Sequence, residues 1–159
     1  MAAATRDLDD SRQPGQLVDY GGASGWLYYK NTLLIKASDG VIRPGSLAGV
    51  SGGLAHFLGV NANRVDLSGN LGSSQATLNV WKTGVFNFVQ NGTGVSADIG
   101  KRVYLIDDQT VGTSVAIATA LPVGEIVSIP TSTLFGVRID AAVSAWAPYS
   151  GLSGFSTQN

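Results

Sequence analysis

A few short stretches carry residue types at spacings that catalysis or metal binding would use. Gly49-Val50-Ser51-Gly52-Gly53 spells G-x-S-x-G, the strand-to-helix turn on which esterases and lipases expose a serine nucleophile. That arrangement needs a helix after the serine, and an acid and a histidine far downstream. Here the single histidine, His56, stands five residues after Ser51 and no helical pattern follows. The stretch therefore reads as a glycine turn, and His56, between Ala55 and Phe57, as a strand residue. One histidine with no nearby cysteine or glutamate cannot complete a zinc site. Asp7, Asp9 and Asp10 have carboxylates close together, but the central glycine and closing glutamate of a calcium loop are missing at the required offsets. Asp107-Asp108-Gln109 falls where a strand should end, and there aspartate bonds the backbone of a turn. Asn91-Gly92-Thr93 spells a glycosylation sequon. Asn-Gly is also a strong tight-turn signal, and that reading is preferred. Gly21-Gly22-Ala23-Ser24-Gly25 lacks the glycine spacing and the helix of a dinucleotide loop. The expectation is no enzyme, with no catalytic, cofactor-binding or metal-ligating residues.

The elements between these stretches read as short strands. Ala76, Leu78 and Val80 alternate with Thr77, Asn79 and Trp81. Val85 to Val89 ends at Asn91-Gly92, and Lys101 to Ile106 ends at Asp107-Asp108. Ser114 to Thr119, Glu125 to Ile129 and Leu134 to Asp140 follow. Earlier, Leu17, Val18 and Tyr20, then Trp26 to Tyr29, then Thr32 to Ile35 are β-prone. Lys30-Asn31 reads as a turn or bulge, and Ser38-Asp39-Gly40 as a tight turn. Short apolar runs bounded by Gly, Pro, Asn and Asp, with no apolar period of 3.6 residues, predict an all-β fold, a small barrel or sandwich of antiparallel strands. The best-defined module is expected over 75–140, inside a domain spanning 16–140. Residues 44–74 are the least regular part.

Val85-Phe86-Asn87-Phe88-Val89 and Val103-Tyr104-Leu105-Ile106 are apolar on both faces. Such strands are expected to be buried on both sides. In a small barrel one face fills the interior; the other must meet a loop, a tail or another subunit. Cover by residues 44–74 of the same chain and cover by a neighbour are equal alternatives.

Composition points the same way. Of 159 residues only 13% are charged, against about 25% for an average soluble protein. The net charge is −1, with 44% hydrophobic residues and 21 glycines. A surface this poor in charge fits a protein covered by something else in its working state. The absence of a basic cluster argues against nucleic acid as a partner. No apolar run is long enough for a membrane span. Met1 to Asp7 lack the apolar run of a secretion signal.

Residues 1–15 read as an N-terminal arm, with Leu8 the sole large apolar group after the initiating methionine. Residues 141–159 read as a C-terminal tail. Trp146, Tyr149, Leu152 and Phe155 recur in it, and aromatic anchors of this kind dock in surface pockets. With Leu8 they are the candidate interface residues.

The order of several segments resembles a known family. These are Asn31-Thr32 with Ile35, Asp39-Gly40-Val41-Ile42, Pro44-Gly45-Ser46-Leu47-Ala48, Phe57-Leu58-Gly59-Val60 and Gly84-Val85-Phe86. Gly100-Lys101-Arg102-Val103-Tyr104-Leu105, Gly124-Glu125-Ile126-Val127 and Val137-Arg138-Ile139 complete the series. Together, over residues 31–140, they are similar to the capsid cement, or head decoration, proteins of tailed bacteriophages. The resemblance implies a small β-barrel on the outer surface of an assembled virion head, contacting the major capsid protein, as a homotrimer assembled in the host cytoplasm. It carries over no catalytic residue, cofactor or contact residue. A phage fibre, tail-associated or glycan-binding module is the alternative, with Trp26, Tyr28, Tyr29 and Trp81 as a sugar-stacking platform.

Overall fold

The computed structural model describes residues 16–47, 55–69, 76–113 and 121–140. The expected strand Ser114 to Thr119, the arm and the tail lie outside them. The described chain is all-β: twelve strands and two short 3₁₀ turns, Gly45–Leu47 and Ser96–Asp98. The strands are β1 (Leu17–Gly21), β2 (Leu27–Tyr28), β3 (Leu33–Lys36), β4 (Ile42–Pro44), β5 (His56–Asn61) and β6 (Val65–Asp66), then β7 (Thr77–Trp81), β8 (Gly84–Gln90), β9 (Arg102–Leu105), β10 (Thr110–Gly112), β11 (Pro122–Thr131) and β12 (Leu134–Ile139).

Two sheets carry the architecture. The first has the order β1-β7-β5-β3-β4; the second is a closed barrel in the order β10-β8-β12-β11-β9. The module expected over 75–140 is thus divided at Lys82-Thr83. β7 pairs with β1 and β5, and the barrel begins at β8. All barrel pairs are antiparallel except β8 with β10, which run parallel through Thr110 opposite Val89 and Val111 opposite Gln90. The sequence reading places no strand at β10, which is only three residues long.

The irregular 44–74 stretch contains β5, a central strand of the first sheet. Its bulge obscures the pattern. Leu34 faces Gly59 and Ile35 faces Phe57, so Leu58 has no opposite residue. The extra residue shifts the alternation. Phe57 and Val60 both enter one core, and Leu58 enters another. Gly59 sits at φ 153, where a Cβ would run into the Trp81 carbonyl and begin 2.7 Å from Val80 Cγ1. Lys82 caps the bulge by donating its ammonium to the Leu58 carbonyl, and burial pushes its pKa down.

β3 is the wall between two cores. Its three consecutive apolar residues are fully buried, as a strand covered on both faces requires. Leu33 and Ile35 join the core cluster to which the barrel contributes Phe86, Phe88, Val103, Leu105, Phe135 and Val137. Leu34 faces the second cluster, with Tyr28, Ile42, Leu58, Leu67, Leu78 and Val80. The small β2–β6 ribbon covers that cluster. The first sheet curls around it until Gly22 meets Ile42 in a parallel bridge. Tyr28 pins this seam: its hydroxyl donates to the Ile42 carbonyl at 2.9 Å and accepts the Ala23 N–H at 2.9 Å.

The turns follow their chemistry. Asn31 takes φ 58, Gly40 φ 81 and Gly92 φ 132, so Lys30-Asn31, Asp39-Gly40 and Asn91-Gly92 are the turns their sequences predict. The expectation of two buried faces on β8 and β9 does not hold. Phe86 and Phe88 are buried, but Val89 is 37% exposed and Val85, Tyr104 and Ile106 are half-buried. Of the described residues in 44–74, β5 adds Phe57 and Val60 to the core shared with the barrel.

Candidate interaction surface

The sequence-derived sites separate in space or fall outside the described residues. Leu8, Trp146, Tyr149, Leu152 and Phe155 lie outside them, as does Ser51. His56 opens β5, exposed and opposite Lys36. Asp107 is a turn residue: its Oδ1 accepts the N–H groups of Gln109 at 2.9 Å and Thr110 at 2.8 Å. Among the described residues no group of three or more His, Cys, Asp or Glu side chains is placed to hold a metal. Of the four aromatics of the glycan platform, one does not reach the surface. Tyr28 is buried in the second cluster, Trp81 packs against the barrel core, and Tyr29 lies under the Arg64 guanidinium, 5.1 Å from its ring centre.

What the structure presents instead is the barrel exterior. Cross-strand register places Arg102, Glu125 and Arg138 in one row over β9, β11 and β12. Arg138 Nη2 donates to Glu125 Oε2 at 2.9 Å, and its Nε is 3.7 Å from Asp140 Oδ2. Farther along the wall, Asn87 and Ser128 stand opposite Gly136 in register, and their side chains close over it. Beyond it Leu134 faces Val89.

The loop 91–101 finishes this end of the barrel. Gln90 N–H binds the Thr133 carbonyl, Gly94 N–H the Ser132 carbonyl and Gly100 N–H the Ile126 carbonyl, at 3.0, 3.1 and 2.8 Å. Gly94 lies over the Phe135 ring so closely that a Cβ would start 2.8 Å from it. The chain then makes the 3₁₀ turn. Asp98 Oδ2 accepts the Val95 N–H at 3.0 Å, and Asp98 Oδ1 accepts the Lys101 ammonium at 2.8 Å. These two bonds hold the Asp98 carboxyl below its usual range, the lysine contributing most. Val95 and Ile99 bracket the turn and are 54% and 52% exposed, the most exposed large apolar side chains described.

Sequence reasoning missed this pair. Each is a lone apolar residue in a polar, glycine-rich loop, with no periodicity to mark it. The available signal was position: two branched apolar residues four apart, where a solvated turn would carry polar ones.

No family model, curated protein or solved structure matches this chain.

Proposed function

We propose that this protein is a structural virion component that binds the outer surface of an assembled tailed-phage head. It bridges neighbouring copies of the major capsid protein and acts as a small homo-oligomer, a trimer by likeness. The observation that carries the reading is adjacency. The segments on which the likeness chiefly rests, Gly100 to Leu105, Gly124 to Val127 and Val137 to Ile139, fall on β9, β11 and β12. These are consecutive neighbours in the barrel order. Segments separated in sequence thus form one continuous wall, with the apolar rim of Val95 and Ile99 at its edge.

Such a role needs a rigid body with exposed contacts rather than a reaction centre. Linking several weak contacts in one oligomer raises apparent affinity without any new contact. Binding only the assembled shell would stabilise it by linkage.

The test mixes purified full-length protein with undecorated heads. The expected result is co-sedimentation in fixed stoichiometry and a higher melting temperature of the decorated heads. Absence of co-sedimentation, with head melting unchanged, overturns the reading. Binding of the free protein to a glycan array without head binding favours the receptor-module alternative.

A further inference from the structure

We propose that Asn91-Gly92 is a site of self-modification. The Gly92 main-chain nitrogen closes on the Asn91 side chain and converts it, through a succinimide, to aspartate and isoaspartate. This chemistry does not depend on what the barrel binds.

Asparagine is among the thermolabile residues. Ring closure requires a free side-chain amide, a following N–H that holds no partner, and nothing crowding that N–H. Of the asparagines in the chain, Asn91 is the one followed by glycine. Glycine has no Cβ to hinder the approach. The fold leaves both reacting groups open. β8 ends at Gln90. The Gln90 and Asn91 N–H groups are held by the Thr133 and Val111 carbonyls, at 3.0 Å each. The next held N–H is that of Gly94, 3.1 Å from the Ser132 carbonyl. Between these anchors the Gly92 N–H meets no acceptor among the described residues, and the exposed Asn91 side chain makes no hydrogen bond to them. Gly92 stands at φ 132. Beyond the adjoining residues, only Gln90 Oε1 comes within 4 Å of where its Cβ would be, at 3.8 Å. Asn61, Asn63 and Asn79 are tied by comparison. Asn61 is buried and donates to the Tyr29 and Asn63 carbonyls at 2.8 and 2.5 Å. Asn63 Oδ1 accepts the Asn79 N–H at 3.1 Å, and the Asn79 side chain donates to Asp19.

In the first step Gly92 N gives its proton to solvent base and bonds to Asn91 Cγ. The Cγ–Nδ2 bond breaks, and Nδ2 leaves as ammonia with a proton returned from solvent. Water then opens the ring. Attack at Cγ yields aspartate. Attack at the Asn91 main-chain carbonyl carbon yields isoaspartate, whose peptide chain runs through Cγ. In both, the hydroxyl of the water stays on carbon and its proton returns to Gly92 N. Either product adds a negative charge to a chain of net charge −1. Isoaspartate also adds a backbone carbon between the N–H groups anchored at Val111 and Ser132, at the root of the loop that carries Val95. That loop loosens as the protein ages.

The test incubates the full-length protein at mildly alkaline pH. A peptide map, with a methyltransferase that labels isoaspartate, reads each site over time. Expected is conversion at Asn91 ahead of every other asparagine, at a rate that rises with pH. An open loop requires no prior unfolding, so the rate should lie within about threefold of that in the denaturant-unfolded chain. Asn91→Gln, whose longer side chain closes the ring poorly, should lose the acidic product at this position. Native protein that keeps its Asn91 amide while the unfolded chain loses it overturns the proposal. Conversion that begins at another asparagine, or an acidic product that survives Asn91→Gln, overturns it too. Amide exchange at Gly94 should be faster in the isoaspartate fraction than in unreacted protein; equal protection overturns the loosening of the loop.

Discussion

The Tyr28 side chain ties the edges of the first sheet, because one hydroxyl serves two sides of the seam. It accepts from Ala23 and donates to Ile42. Removing it leaves a buried carbonyl and an N–H without this partner, a loss of about 1–3 kcal/mol. Tyr28→Phe should lower the denaturation midpoint by that amount without changing the far-ultraviolet spectrum; an unchanged midpoint would show that the seam closes without the hydroxyl. Burial pushes the Tyr28 pKa up to about 12 from 10.0. The folded state therefore favours the protonated phenol. Its contribution is intact below pH 10 and is lost as pH rises through about 12. Tyr28 was legible as aromatic and β-prone, but its hydroxyl bonds were not. They depend on a seam between residues far apart in sequence.

Strands reveal the limits of pattern more clearly. β8 was legible as a strand apolar on both faces, yet its outer face is half-exposed, because composition alone does not say which apolar face finds a partner. β5 was hidden by its bulge. β10 was hidden because three residues carry no period; its place is fixed by strands on either side. The Asp-containing and glycine turns were readable since each rests on local chemistry. The Arg102, Glu125, Arg138 row needed the register of three strands, which no single segment encodes. Its pairs are exposed and each contributes less than about 1 kcal/mol. Glu125→Ala should therefore change stability only slightly. Glu125→Lys, which puts three like charges in a row, should destabilise more, and added salt should recover part of the loss. Equal melting temperatures for the two variants at low salt would contradict the row as drawn.

At the scale of the whole molecule, two curled sheets lean on one another through β3. Phe88 is fully buried in the core to which both sheets contribute. Phe88→Ala should cost about 3–5 kcal/mol. The first sheet and the barrel should still unfold in a single transition, seen at one midpoint by tryptophan fluorescence and by circular dichroism. Two separated transitions would show that the halves are independent. A shared wall also has a mechanical meaning. With Leu33 and Ile35 gripping one side and Leu34 the other, there is no soft hinge between the halves at this strand. Tension between the barrel and the first sheet would load β3 and, through β5 and β7, β1, so the protein should yield by rupture of the entire unit rather than by stretching at a joint.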